Sequence, residues 1–113
     1  MTSRQLADKA VSILESKKGV DIEVIDVRDK TTLADYFVIV SGNSTTHIKS
    51  LAEEVEYILK EEDGLYPDHV EGRSGDRWIL IDYKDVVVNV FYPEERATYN
   101  LENLWNTKKP LDA

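Results

Sequence analysis

Residues 34–42 read ADYFVIVSG, and residues 78–91 read WILIDYKDVVVNVF. Both stretches contain nearly unbroken apolar runs, which are typical of strands that other elements cover on both faces. The polar residues stand at the strand ends and turns, where a binding site or an interface would form. The strands carry no cysteine, no histidine and no paired carboxylates. The two stretches therefore predict a sheet layered with helices, a scaffold without an obvious catalytic set.

The rest of the chain supplies helices and further strands. A capping box at Thr2 and Gln5 begins a first helix, and residues 21–27 form a strand by alternation. A second helix has the strongest helical period and ends at Gly64, and a third begins at Pro93. Residues 69–72 and the hairpin strands at 77–82 and 86–91 give the order α-β-β-α-β-β-β-α. We expect an α/β fold with a mixed sheet, a single domain at 1–106 and a flexible tail at 107–113.

Composition limits the function classes. The chain has 113 residues, no cysteine and a formal charge of −8, and residues 53–85 contain eleven acids against four bases. An acidic surface repels phosphate backbones, so direct nucleic-acid binding is disfavoured. The acids fit either a basic protein partner or simple solubility. No run approaches the roughly 20 apolar residues that span a bilayer, so we expect a cytoplasmic protein without a membrane segment.

Several patterns invite an enzymatic interpretation. The turn at residues 41–44, SGNS, joins a strand to a helix but lacks a P-loop or a dinucleotide fingerprint, and a simple turn is the plainer interpretation. A Gly-Ser turn before a helix also opens the nucleotidyltransferase active site, which needs two carboxylates on a following strand. The strand at 86–91 has no acid, and Asp82 and Asp85 fall across a turn. His47 and His69 lack a third and a fourth zinc ligand at a sensible spacing. We therefore predict no catalytic residues, no metal and no cofactor.

Trp78 has two alternative roles that composition alone does not distinguish. It begins a strand directly after a polar turn, and Glu71, Asp82 and Asp85 are close in sequence. Core packing is one interpretation of this residue. The other is an aromatic anchor surrounded by acids, which would suit docking to a basic protein.

Spaced sequence blocks add a family resemblance. They are residues 34–44, Glu71-Gly72, the pattern W-x-L-x-D-Y-x-D-V-V-V at 78–88, and the pattern Y-x-L-E-x-L-W at 99–105. In this combination, over almost the whole chain, the sequence closely resembles the ribosomal silencing factor family (RsfS, also called Iojap or YbeB). Two positions depart from the family pattern, which usually has Gly where this chain has Lys84 and His where it has Asn89.

The resemblance implies an α/β fold that is distantly nucleotidyltransferase-like but lacks the catalytic acids. It also implies a non-enzymatic translation repressor. Such a protein binds the large ribosomal subunit through its fourteenth L-series protein and sterically blocks the small subunit when nutrients are scarce. A large-subunit assembly factor that uses the same surface remains an alternative, as does an enzyme of the nucleotidyltransferase fold.

The resemblance and the local charges together give the expected partner-binding residues. Trp78 is the apolar anchor with Leu80 beside it, and Tyr83 supports the turn. The acids that would pair with Lys or Arg of the ribosomal protein are Glu71, Asp82 and Asp85. A homodimer of the free protein is also open, because apolar anchors on an acidic surface can bury each other.

Overall fold

A computed structural model describes residues 1–73, 75 and 77–106, and for residues 105 and 106 it describes the backbone alone. The elements are α1 (Ser3–Ser16), β1 (Val20–Asp26), β2 (Tyr36–Ser41), α2 (Thr45–Asp63), β3 (His69–Glu71), β4 (Trp78–Asp82), β5 (Val86–Phe91), α3 (Pro93–Tyr99) and α4 (Leu101–Asn106). This confirms the predicted α/β class and order, with the last helical region in two segments. The tail predicted at 107–113 lies outside the described residues.

The five strands form one mixed sheet in the order β1-β2-β5-β4-β3. β2 and β5 are parallel, and the other neighbouring pairs are antiparallel. β5 lies at the centre and every one of its residues is buried, as its apolar sequence predicts. β4 differs from the prediction because its residues alternate between buried and half-buried. One face of β4 is therefore covered less completely than the other.

α1 and α2 pack on one face of the sheet and build the larger core. The α2 side chains Leu51, Val55 and Leu59 are fully buried and belong to the same cluster as Ile81 of β4 and Val88 of β5. Sequence signals fix the ends of both helices. The predicted capping box begins α1, the Ser44 side chain caps α2, and Gly64 ends α2 in the left-handed conformation.

The opposite sheet face is partly open, and we call it the open face. Its smaller apolar cluster includes Ile39, Val87 and Phe91, with Trp78 and Leu80 partly buried against it. The short helices α3 and α4 lie at one end of this face. α4 contacts β1, α3 contacts β5, and Tyr99 of α3 also packs against Trp78 of β4.

The last helical region is divided at Asn100. Its backbone has a φ of +51°, and its N–H donates to the carbonyl of Arg96, which ends α3. Asparagine tolerates this left-handed conformation better than most residues do. The sequence period across residues 93–105 conceals this break, because α4 resumes the helix directly after it.

In the part of the chain that the structure describes, no helix combines the length and the apolar character needed to cross a membrane.

Candidate docking surface

Strand register gathers polar and apolar side chains on the open face near its β3 edge. Across β3 and β4, His69 pairs with Asp82, and Glu71 pairs with Leu80. Side chains of directly paired residues share a face, and residues two apart along a strand return to it. Trp78 belongs to the same face, where it pairs with Phe91 of β5. The sheet thus brings residues from separate parts of the sequence into one surface.

An open cavity of about 230 Å³ lies at the centre of this surface. Its described lining residues are Glu71, Gly72, Trp78 and Leu80. Gly72 has a φ of +89°, and a Cβ atom there would lie 1.9 Å from the carbonyl oxygen of Trp78. Only glycine permits this close approach of the backbone to β4. Among the described lining residues, Trp78 and Leu80 have apolar side chains and Glu71 has a carboxylate, a combination that suits a partner side chain with an aliphatic stem and a cationic end.

The Trp78 side chain packs against other aromatic rings and is also accessible to a binding partner. Its ring stacks on Phe91 with centroids 4.9 Å apart and contacts the Tyr99 ring at 4.6 Å. It nevertheless stays half-buried and lines the cavity. Core packing and interface were alternatives in the sequence, and the structure gives Trp78 features of both. A ring that is already held in place loses little conformational freedom on binding.

The buried side chain of Asn89 forms a hydrogen bond with the indole of Trp78. The indole Nε1–H donates to the Oδ1 atom of Asn89 at 3.1 Å, and Asn89 is only 1% exposed. Among the described residues, no partner accepts a hydrogen bond from the Asn89 Nδ2 atom. Asn89 is one of the two positions where the family resemblance implies a different residue. Its contact with Trp78 links that departure directly to the candidate anchor.

Acidic groups converge on a single histidine beside the cavity. The Nδ1 atom of His69 lies 3.3 Å from Oδ2 of Asp68 and 3.6 Å from Oδ2 of Asp82. The Nε2 atom of the same ring lies 3.0 Å from Oε2 of Glu71. Hydrogen bonding to Asp68, with a further contribution from Glu71, raises the pKa of His69 above its usual value. The cluster therefore favours a positive charge at the imidazole.

Two of the six predicted partner-binding residues lie elsewhere. Tyr83 is buried in the core under α1 and α2, where burial raises the pKa of its hydroxyl. Asp85 is exposed and lines a different cavity together with Tyr83 and Leu65. The backbone at Tyr83 does support the hairpin turn, since its N–H donates to the carbonyl of Val86 at 2.9 Å. The structure thus brings Trp78, Leu80, Glu71 and Asp82 together but separates Tyr83 and Asp85 from them.

The turn at residues 41–44 is occupied by contacts within the protein. Arg96 donates to the Ser41 hydroxyl at 2.9 Å, and the Asn43 backbone N–H donates to Nδ1 of His47 at 2.8 Å. A Cβ on Gly42 would lie 2.8 Å from a side-chain carbon of Ile48. These contacts support the interpretation of the segment as a tightly packed turn.

Sequence reasoning missed the role of Asp68 and His69 in this surface. The spacing of thirteen residues between His69 and Asp82 gave no ligand pattern, because their proximity depends on the β3–β4 register. The alternation of β4 is the signal that could have placed Asp82 on the same face as Trp78. It still could not have supplied the partner strand.

Comparison with known proteins identifies relatives along the whole chain. The family model described as "Ribosomal silencing factor during starvation" matches residues 1–113. A ribosomal silencing factor RsfS from Halalkalibacterium halodurans is 37% identical over 93% of this chain and 89% of its own length. A crystal structure of a Chromobacterium violaceum protein superposes with a TM-score of 0.90 at 35% identity, covering 97% of this chain and 91% of that one. The mouse "Mitochondrial assembly of ribosomal large subunit protein 1" is 36% identical over 89% of this chain, which spans 45% of the mouse protein.

Proposed function

This chain belongs to the ribosomal silencing factor family, and on that premise we propose that it docks on the large ribosomal subunit and blocks joining of the small subunit. Family membership supports a ribosome-associated role in silencing or assembly. Our proposal is more specific. The contact is the fourteenth L-series protein of the large subunit, and the contact surface is the open face around Trp78.

One observation carries this proposal. Trp78 and Leu80 line an open cavity on the open face, and Glu71 also belongs to its lining. Asp82 lies on the same face, with its side chain 24% exposed. Protein interfaces concentrate their energy in packed aromatic anchors, while surrounding charges orient the partner. The surface therefore fits a basic protein better than a small-molecule substrate.

The mechanism that we propose is steric exclusion. A folded domain docked beside the intersubunit face occupies volume that the small subunit needs, so joining fails without any covalent step. No bond is made or broken in this mechanism, and the chain acts as a regulator and not as an enzyme. Reversal requires only dissociation of the domain from the large subunit.

An assembly role on the same surface is the second candidate. It is supported by the name of the mouse relative, which refers to assembly of the ribosomal large subunit. Assembly and silencing share the docking step and differ in its consequence for the ribosome. An assembly factor would bind immature particles and leave joining of mature subunits unchanged.

The test is co-sedimentation of the purified chain with separated subunits, with subunit joining followed in the same gradients. Trp78→Ala should weaken large-subunit binding by about 2 kcal/mol, or about thirtyfold, because the anchor is lost. Tyr57→Ala is the matched control, since Tyr57 is 55% exposed and belongs to α2 on the other side of the sheet.

Three outcomes separate the candidates. Large-subunit binding with loss of joined ribosomes supports silencing. Binding to the large subunit with normal joining supports the assembly role. Normal binding by a folded Trp78→Ala variant would show that the open face is not the docking surface.

A further inference from the structure

We propose that Asp68, His69 and Asp82 form a binding site for a divalent transition-metal ion such as Zn²⁺, with Glu71 orienting the histidine. The site lies at the β3 edge of the open face. It combines one imidazole with two carboxylates, a donor set that suits Zn²⁺ better than the all-oxygen sites of Mg²⁺ or Ca²⁺. The inference stands independently of the proposed docking function.

The backbone holds the three side chains together. His69 pairs directly with Asp82 across β3 and β4, and the Asp68 N–H donates to the carbonyl of Asp82 at 2.6 Å. One potential ligand atom from each of the three residues lies within 4.8 Å of the others. The Lys84 N–H donates to Oδ1 of Asp82 at 2.6 Å, which fixes that carboxylate and leaves its Oδ2 atom toward His69.

The contacts of His69 favour a cation. Its Nε2 atom faces Glu71 at 3.0 Å, while its Nδ1 atom faces carboxylate oxygens of Asp68 and Asp82. A neutral imidazole carries one N–H, so in either tautomer one ring nitrogen presents its lone pair to a carboxylate. A metal ion at Nδ1 relieves this repulsion on the side of Asp68 and Asp82, while Nε2–H donates to Glu71.

The distances from the His69 ring to the two carboxylates fit a small tetrahedral ion, and the three ligand atoms all lie within 4.8 Å of one another. Zinc bonds to nitrogen and oxygen of about 2.0–2.2 Å place neighbouring ligand atoms about 3.4 Å apart. The separations from Nδ1 to the two Asp oxygens are 3.3 and 3.6 Å. Glu71 on the remote ring nitrogen reproduces the carboxylate–histidine–metal arrangement that orients many zinc ligands. Water would complete the coordination at this exposed site.

Protons compete with the metal ion for the imidazole, and the Lys84 side chain competes with it for the carboxylates. Among the described residues, the charged groups that face His69 are Asp68, Glu71 and Asp82, and the Lys84 Nζ lies 3.8 Å from Oδ1 of Asp68. A metal ion and a proton cannot both occupy Nδ1 of His69, so the two exclude each other. Lys84→Gly, which removes a neighbouring positive charge, should increase the affinity for Zn²⁺.

The experiment is calorimetric titration of the tag-free, full-length chain with Zn²⁺ alone, and with Mg²⁺ alone as a second probe. We expect one Zn²⁺ per chain at this site. His69→Gln and Asp82→Asn should lower its affinity about tenfold or more, and Glu71→Gln about tenfold, because outer carboxylates typically contribute that much. Glu61→Gln is the control, since it removes an exposed carboxylate of α2 outside the cluster.

The affected side chains are exposed or half-buried, so these variants should stay folded, and a melting curve of each verifies this. Loss of the site in His69→Gln and Asp82→Asn, with Glu61→Gln unchanged, supports the proposal. Zn²⁺ affinities within twofold of the wild type in both variants would refute it, as would the absence of stoichiometric binding. Either outcome leaves the docking proposal intact, because large-subunit binding is measured separately.

Discussion

At the scale of single residues, Asn89 connects the buried sheet to the proposed anchor. Its Oδ1 atom accepts the only hydrogen bond described for the Trp78 indole, at 3.1 Å. Asn89→Leu should lower large-subunit affinity about tenfold, because the unpaired N–H lets the ring leave its docking orientation. Asn89→His should stay within about threefold of the wild type, since a ring nitrogen can accept the same hydrogen bond. Subunit-binding assays measure both variants.

The role of Asn89 in positioning Trp78 must be distinguished from a contribution of Asn89 to the stability of the core. The free energy of unfolding of Asn89→Leu should change less than its binding free energy, because leucine also removes an amide nitrogen without a described partner. Fluorescence of Trp78 in a Trp105→Phe background should shift in Asn89→Leu and recover in Asn89→His. If affinity and stability fall together in both variants, Asn89 is only a core residue.

The other departure, Lys84, shows what a sequence can and cannot reveal about one residue. The family pattern usually has Gly here, and the structure gives Lys84 a φ of +73°, in the region that favours glycine. A turn between β4 and β5 was predictable from the hairpin spacing. The contacts of Lys84 with the Asp68 and Asp82 side chains were not, because they depend on the neighbouring β3 edge.

At the scale of elements, Arg96 of α3 connects the two short C-terminal helices to the sheet through an ion pair and a hydrogen bond. Its side chain is 10% exposed, pairs with Glu102 of α4 at 2.8 Å and donates to Ser41 of β2 at 2.9 Å. Arg96→Met should lower the free energy of unfolding by about 2 kcal/mol, because Glu102 is left largely buried without its cation. Denaturant unfolding measures this change, and hydrogen exchange should show faster opening of α3 and α4.

Arg77→Met is the matched control for this element. Arg77 pairs with Glu95 of α3 at 2.9 Å but is 49% exposed, so its loss should cost less than about 1 kcal/mol. The comparison isolates burial, since both arginines contact the same helical region. Equal losses of unfolding free energy in Arg96→Met and Arg77→Met would contradict the role of Arg96 in connecting these helices to the sheet.

The elements themselves were largely predictable, but their arrangement was not. The caps at Thr2 and Gly64 and the apolar periods locate α1, α2 and the strands from local chemistry alone. The β1-β2-β5-β4-β3 order and the parallel β2–β5 pair depend on contacts between distant segments, which no local pattern specifies. The same reason explains the site. Trp78 and Leu80 were predicted from the family resemblance and the local charges, and they lie on the open face, whereas Tyr83 packs in the core on the opposite face.

At the scale of the whole molecule, a charge of −8 opposes approach to a ribosome whose RNA is also negative. The proposed docking must therefore depend on short-range attraction between the open-face acids and a basic protein surface. Salt screens both the attraction to the basic protein and the repulsion from RNA. Screening of the attraction lowers the affinity, whereas screening of the repulsion raises it. The isolated ribosomal protein and the intact subunit should consequently give different salt dependences.

We expect the affinity for the isolated fourteenth L-series protein to fall about tenfold between low and high salt, as two exposed charge pairs of about 0.5–1 kcal/mol each are screened. For the intact subunit the fall should be smaller, because salt also relieves the repulsion from RNA. Glu71→Gln combined with Asp82→Asn should flatten the first dependence, whereas Glu61→Gln on α2 should leave it unchanged. Titrations at several salt concentrations measure these slopes. A flat response of the wild-type chain to salt would mean that the acids of the open face do not contact the partner, and docking would then depend on the apolar anchor alone.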